Sequence, residues 1–160
     1  MTRTTRRAIG ILLALGAVVG ACRSGPPQPA ELDTRHDACA SCRMAVSDRR
    51  FAAQIVAPNE LPLFFDDIGC LRDYLAEHPQ LRPGSIAFVA DHRTGEWVAA
   101  ARAAYSRVVS LETPMGSHLI AHASPESRAE DPVTVTGQPL TAADVFGAAG
   151  PPAGAAEDQR

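Results

Sequence analysis

The sequence predicts an α+β fold of two small related ββαβ units with antiparallel sheet. Three observations predict it. Short runs rich in β-branched and aromatic residues alternate with one longer amphipathic run. Pro, Gly and Asn gather at the boundaries between these runs, where turns need them. The order of elements in the first half recurs in the second, although residue-level similarity is low.

Taken in order, Phe51 to Ala57 reads as a strand, Pro58-Asn59-Glu60 as a turn, and Leu61 to Phe65 as the hairpin partner. Asp66-Asp67 directly precedes an amphipathic run. One of the two carboxylates is expected to cap that helix by accepting backbone N–H bonds. Ile68, Leu71 and Leu75, with Tyr74 beside them, form its buried stripe, and Pro79 and Pro83-Gly84 end it. Ser85 to Ala90 is a third strand. In the second unit, Asp91 to Gly95 makes a turn, Glu96 to Ala99 a short strand, and Ala100 to Tyr105 a turn of helix. Arg107 to Leu111 and Ser117 to Ala123 are further strands, Pro125 to Asp131 is helical, Val133 to Thr136 is extended, and Thr141 caps a last helix reaching Phe146.

The chain opens on an address. Arg3, Arg6 and Arg7 precede an apolar run from Ala8 to Ala21, too short for a spanning helix and suited to a secretory signal. The run ends Val18-Val19-Gly20-Ala21-Cys22, which is similar to a bacterial lipobox and implies cleavage before Cys22 and lipidation of its thiol. Sec-type export fits better than the twin-arginine route, because the residues after Arg6-Arg7 match the latter poorly. The expected division is therefore a signal peptide over 1–21, a flexible tether over 22–35 with three Pro, a domain over 36–147 and a disordered tail over 148–160. The expected location is the cell membrane, lipid-anchored and facing the periplasm or extracytoplasmic space.

Hydrophobic residues make up 46% of the 160 and charged residues 21%, enough for one packed core. Losing Arg3, Arg6 and Arg7 with the signal takes the formal charge from −3 to −6. An acidic domain lacks the basic surface that nucleic-acid binding relies on. Lipidation of Cys22 leaves three thiols, Cys39, Cys42 and Cys70. An odd number is a poor disulfide framework for an oxidising compartment, and a metal site accounts for it.

The stretch Cys39-Ala40-Ser41-Cys42-Arg43-Met44 concentrates two thiols and a thioether within six residues. Soft donors of this kind favour Cu(I). In an extended segment Cys42 and Met44 would point to the same side. Other chemistries stay open: half of a zinc site, although a second Cys or His pair is missing; a thiol–disulfide motif, although no strand precedes it; or a plain structural disulfide. Met115 stands in the loop Thr113-Pro114-Met115-Gly116, with no evident core duty. His118 and His122 follow on what alternation makes one strand face, and either could complete a site with Cys42 and Met44. Cys70 reads as a small core residue of the helix, and His36, His78 and His92 as solvated spacers. Asp66 and Asp67 lack a partner nucleophile for acid–base work, and no phosphate loop, nucleophile elbow or triad is present to suggest an enzyme.

The ordered set of Cys22, the Cys39–Met44 stretch, Phe65-Asp66-Asp67-Ile68-Gly69-Cys70, Asp91 with Thr94, Glu96 and Trp97, and Thr113-Pro114-Met115-Gly116 resembles the NosL family over about residues 36–125. These are lipoprotein accessory factors of nitrous oxide reductase. The resemblance implies a periplasmic Cu(I)-binding metallochaperone, not an enzyme, that passes copper to the reductase through an ABC-type maturation transporter. The family's Cys-x-Met pair falls on Cys42 and Met44, and its downstream Met-Gly element on Met115 and Gly116. Cys39 is near enough to join, and His118 fits chemically as a third donor. One departure stands out: many members with the Cys-x-x-Cys form carry Gly where this chain has Arg43. The expected site is a low-coordinate Cu(I) held by Cys42, Met44 and a donor from the Met115–His118 segment. Its chief rival is a membrane-anchored thiol–disulfide oxidoreductase using Cys39 and Cys42. A structural role, with the cysteines stapling the leader to the core, is a second rival.

Overall fold

Two antiparallel sheets built on one plan carry the chain. A computed structural model describes residues 25–154; the expected signal peptide, the expected lipidation site Cys22 and the end of the tail from 155 lie outside the described residues. Strands β1 (Ala53–Val56) and β2 (Leu63–Phe65) form the expected hairpin, α1 runs Ile68–Glu77, and β3 (Ile86–Ala90) returns beside β1. β4 (Trp97–Ala99) extends the sheet to the order β2-β1-β3-β4. The second unit repeats the path with β5 (Ala104–Arg107), β6 (Leu119–His122), α2 (Pro125–Ala129) and β7 (Gln138–Leu140), in the order β6-β5-β7. In each unit the first strand lies central, its hairpin partner on one side and the strand after the helix on the other. A short α3 (Ala142–Phe146) closes the chain against the core, capped by Thr141 in a reciprocal box with Asp144.

Local chemistry explains each departure from the expected elements. The strand expected to open the second unit at Glu96–Ala99 belongs to the first sheet as β4. The second unit begins at Ala104–Arg107, overlapping the expected helical turn and preceding the expected strand Arg107–Leu111, because Tyr105 is fully buried and its hydroxyl donates to the Ala100 carbonyl at 2.7 Å. That anchor fixes the face, and Val109 is left in an exposed turn. The β-propensity of Val133 and Val135 is likewise overridden: the segment from Pro132 to Thr136 is a 3-10 helix. Asp131 caps it by accepting from the Val133 N–H, and Pro132 starts it with φ already set. Gln138–Leu140, unanticipated, pairs with β5 as an edge strand, the one place where Pro139 costs no ladder bond.

The packed unit also extends past the expected 36–147 at both ends. Ala30 exchanges two hydrogen bonds with the Gln54 amide, at 2.8 and 3.2 Å, and Leu32 is buried. Gln54 lies on buried β1, so its amide must find partners, and the supposed tether supplies them. At the other end Ala153 bridges to Ile86, and the Pro152 carbonyl accepts from the Ala87 N–H at 2.8 Å. The start of the tail thus covers the part of β3 that β4 leaves unpaired.

Asp91 ties the two units together at the turn after β3. Its Oδ1 accepts from the Arg93 and Thr94 N–H groups, and its Oδ2 from the Ala123 N–H and the Ser127 hydroxyl. Burial alone would raise this carboxyl, but the four donors outweigh it and hold the pKa at about 2. A depressed folded pKa contributes stability that is complete above the unfolded value near 4 and lost as pH falls through about 2. The contribution should be on the order of 2 kcal/mol. Urea denaturation across that pH window should show it, and Asp91→Asn should flatten that part of the profile.

Candidate metal centre

The Cys39–Met44 stretch is a tight turn rather than an extended segment. Asp37 to Val46 forms a small hairpin in which Ala38 bridges to Ala45 and the Cys39 N–H donates to the Met44 carbonyl at 2.8 Å. The Arg43 N–H closes back on the Cys39 carbonyl at 3.0 Å, and Arg43 itself has φ 67°. The hairpin hangs from the free edge of β2, where Cys39 bridges to Phe64 and the Ala40 N–H donates to the Phe64 carbonyl at 2.7 Å. The turn reverses the chain, so period-two alternation no longer relates Cys42 to Met44. Cys42 is half-buried and packs on the core, whereas Met44 is 60% exposed.

What the turn does bring together is Cys39, Cys42, Asp66 and Cys70. One ligand atom from each lies within 4.8 Å of all the others. Cys39 is fully buried, Cys70 and Asp66 nearly so, and Cys42 is the member that reaches towards solvent. The Cys42 thiol donates to the Asp66 carboxylate, with Sγ 3.5 and 3.6 Å from the two oxygens. Burial pushes the Cys42 thiol up, and the Asp66 charge and the Cys39 sulfur add to the rise. Burial pushes Cys70 far higher. A thiol–disulfide enzyme needs the opposite, a thiol depressed towards neutrality.

α1 places two of the four. Asp67 is its N-cap, fully buried, accepting from the Gly69 N–H at 2.6 Å, so Asp66 sits just outside the first turn and Cys70 just inside it. The other Asp67 oxygen accepts from the Thr113 hydroxyl at 2.7 Å and the Met115 N–H at 3.1 Å. The Met115 loop is thereby pinned to the helix start. Gly69 allows that approach: a Cβ there would lie 2.7 Å from the Ser117 Cβ. Met115 itself is 49% exposed. His118 has φ 59° and lies before β6, so strand alternation does not relate it to His122. Its Nδ1–H donates to the Leu111 carbonyl at 2.8 Å, which leaves Nε2 as its free lone pair. The His118 ring is not part of the sulfur cluster, and His122 belongs to a different one.

Sequence reasoning missed Cys70 and Asp66 as partners of the thiols. The available signal was their closeness in sequence across a helix start, Asp66 one residue before the cap and Cys70 in the first turn. It also read His92 as a solvated spacer, whereas His92 is buried at 6% exposure against Asp131.

Arg43 is the one non-glycine residue of the thiol turn in the left-handed region. Arg43→Gly should stabilise the fold by about 1 kcal/mol, because an L side chain is strained there. Chemical denaturation measures it, and unchanged metal binding would show that the guanidinium is not needed.

Fold and cluster together define the class: an α+β domain with three converging thiols able to hold a metal ion. The NosL family model matches residues 29–146, and the chain belongs to the NosL family, whose members are copper-associated accessory proteins. Neither the curated proteins nor the solved structures yield a match.

Proposed function

We propose that this chain is a Cu(I) metallochaperone, lipid-anchored through Cys22 on the periplasmic or extracytoplasmic side of the membrane. It supplies copper for maturation of nitrous oxide reductase through an ABC-type transporter. The observation that carries the proposal is the convergence of Cys39, Cys42 and Cys70 with only Cys42 open to solvent.

Three sulfurs make a soft, low-coordinate set suited to monovalent copper as cargo. Cys42 is the gate sulfur: copper arrives at its exposed side, and a recipient's ligand enters there. Metal binding must displace the thiol proton, and the Asp66 carboxylate in contact with Cys42 is the nearest acceptor for it. The exposed thioethers of Met44 and Met115 offer weaker soft donors, steps by which an ion can leave.

Anaerobic titration of the purified chain with Cu(I) against a competing chelator tests the proposal. One ion per chain should survive desalting, and affinity should fall by about tenfold per pH unit for each proton displaced. Copper-free protein after desalting would end the proposal. Disulfide reductase turnover without metal would favour the rival enzyme.

A further inference from the structure

We propose that His92, His122 and Asp131 form a second metal site, independent of the thiols, which takes a borderline divalent cation of the Zn(II) type. The three residues come from separate segments: the turn after β3, the last position of β6, and the cap of the 3-10 helix after α2. Their exposures are 6%, 0% and 4%. His92 Nδ1 lies 2.6 Å from Asp131 Oδ2, and His122 Nε2 lies 2.9 Å from the same oxygen. One atom of each is within 4.8 Å of the other two.

As a purely structural network the triad is incomplete. Both imidazoles converge on one carboxylate oxygen, while His92 Nε2 and His122 Nδ1 are buried with no hydrogen-bond partner. Those two nitrogens lie on the far side of each ring from Asp131, so it is the convergence of His92 Nδ1, His122 Nε2 and Asp131 Oδ2 that points to an ion. Two imidazoles and a carboxylate facing one point are also a recognised ligand set for divalent metals, and a poor one for Cu(I). Zinc bonds to nitrogen and oxygen run about 2.0–2.2 Å, so an outward shift of the ligands by under about 1 Å admits the ion. For each imidazole to ligate, the nitrogen facing Asp131 must give up its proton, which the other ring nitrogen can carry.

The surroundings hold the geometry in advance. Asp131 Oδ1 is occupied by the Val133 N–H at 3.2 Å, which leaves Oδ2 for the ion. Asp91 beside His92 binds both Ala123, next to His122, and Ser127 of α2, so it ties the turn after β3 to the end of β6 and to the helix that leads into Asp131. His92 and Asp131 sit on turns rather than in a sheet, so a local opening suffices to let an ion in.

The test loads the purified chain with Cu(I) to occupy the thiols, then titrates Zn(II), with zinc-edge X-ray absorption and thermal melting as readouts. One further equivalent should bind, with nitrogen and oxygen scatterers only, and should raise the melting temperature. His122→Phe should keep copper and lose the zinc and its thermal effect. Should that variant fail to fold, His92→Gln must show the same loss. No zinc uptake, sulfur scatterers at the zinc edge, or unchanged zinc binding in a folded variant overturns the proposal. If copper does not bind, the zinc edge of the copper-free chain still separates sulfur from nitrogen and oxygen ligands.

Discussion

Cys42→Ser should lower Cu(I) affinity by at least about a hundredfold, more than the roughly 10–100-fold typical when a group merely orienting a ligand is lost. Serine keeps the size and the hydrogen bond to Asp66 but replaces a soft donor with a hard one. Fold stability should change little, since Cys42 is the least buried of the three thiols. That pairing of a large binding loss with a small stability change separates a ligand from a packing residue. Cys70→Ser should also weaken copper binding, with an added stability cost because its thiol is 6% exposed and a hydroxyl there needs a new partner. Met44→Leu and Met115→Leu should cost less affinity than Cys42→Ser and slow transfer to a competing acceptor, since a thioether is the weaker donor and both side chains are largely exposed. Competition titration gives the affinities, and stopped-flow exchange with a chromophoric chelator gives the rates. Full copper retention by Cys42→Ser would remove the gate sulfur from the scheme.

Much of the fold was legible because its signals were local. Asp67 as cap, the stripe through Ile68 and Leu71, and the hairpin about Pro58-Asn59 need only turn chemistry and period. The second unit was harder to read because tertiary anchors overrode propensity. Tyr105, through its buried hydroxyl bond to Ala100, decides where β5 lies, and no window of neighbouring residues reports that bond. The site shows the same divide. Cys39 and Cys42 announce themselves by spacing, but Arg43 in the left-handed region turns Met44 away from the line that alternation drew. Burial of Cys70 was readable, whereas the neighbours it is buried against were not. His92 and His122 are far apart in the chain and meet only because β3 and β6 are joined through the Asp91–Ala121 bridge. Contacts that depend on how two sheets dock are invisible to any single segment.

Asp67→Ala should cost roughly 3 kcal/mol, combining a lost helix cap with buried donors left unpaired. The cap bond to the Gly69 N–H disappears, and the Thr113 hydroxyl and Met115 N–H lose their shared acceptor. The melting temperature should fall by about 10 °C for a domain of this size. Copper binding should suffer as well, although Asp67 touches no metal ligand atom. Without the cap the first turn of α1 frays, and that turn fixes Cys70 inside the helix and Asp66 just before it. The Met115 loop is freed by the same loss, because Asp67 is what binds it to the helix start. Asp67→Asn keeps one acceptor oxygen and should recover the cap while giving up part of the loop contact. The order of stability is therefore wild type, then Asn, then Ala. Copper affinity should follow that order if the helix start positions the thiols, and an Ala variant that melts lower yet binds copper as tightly as wild type would show that the cluster assembles without it.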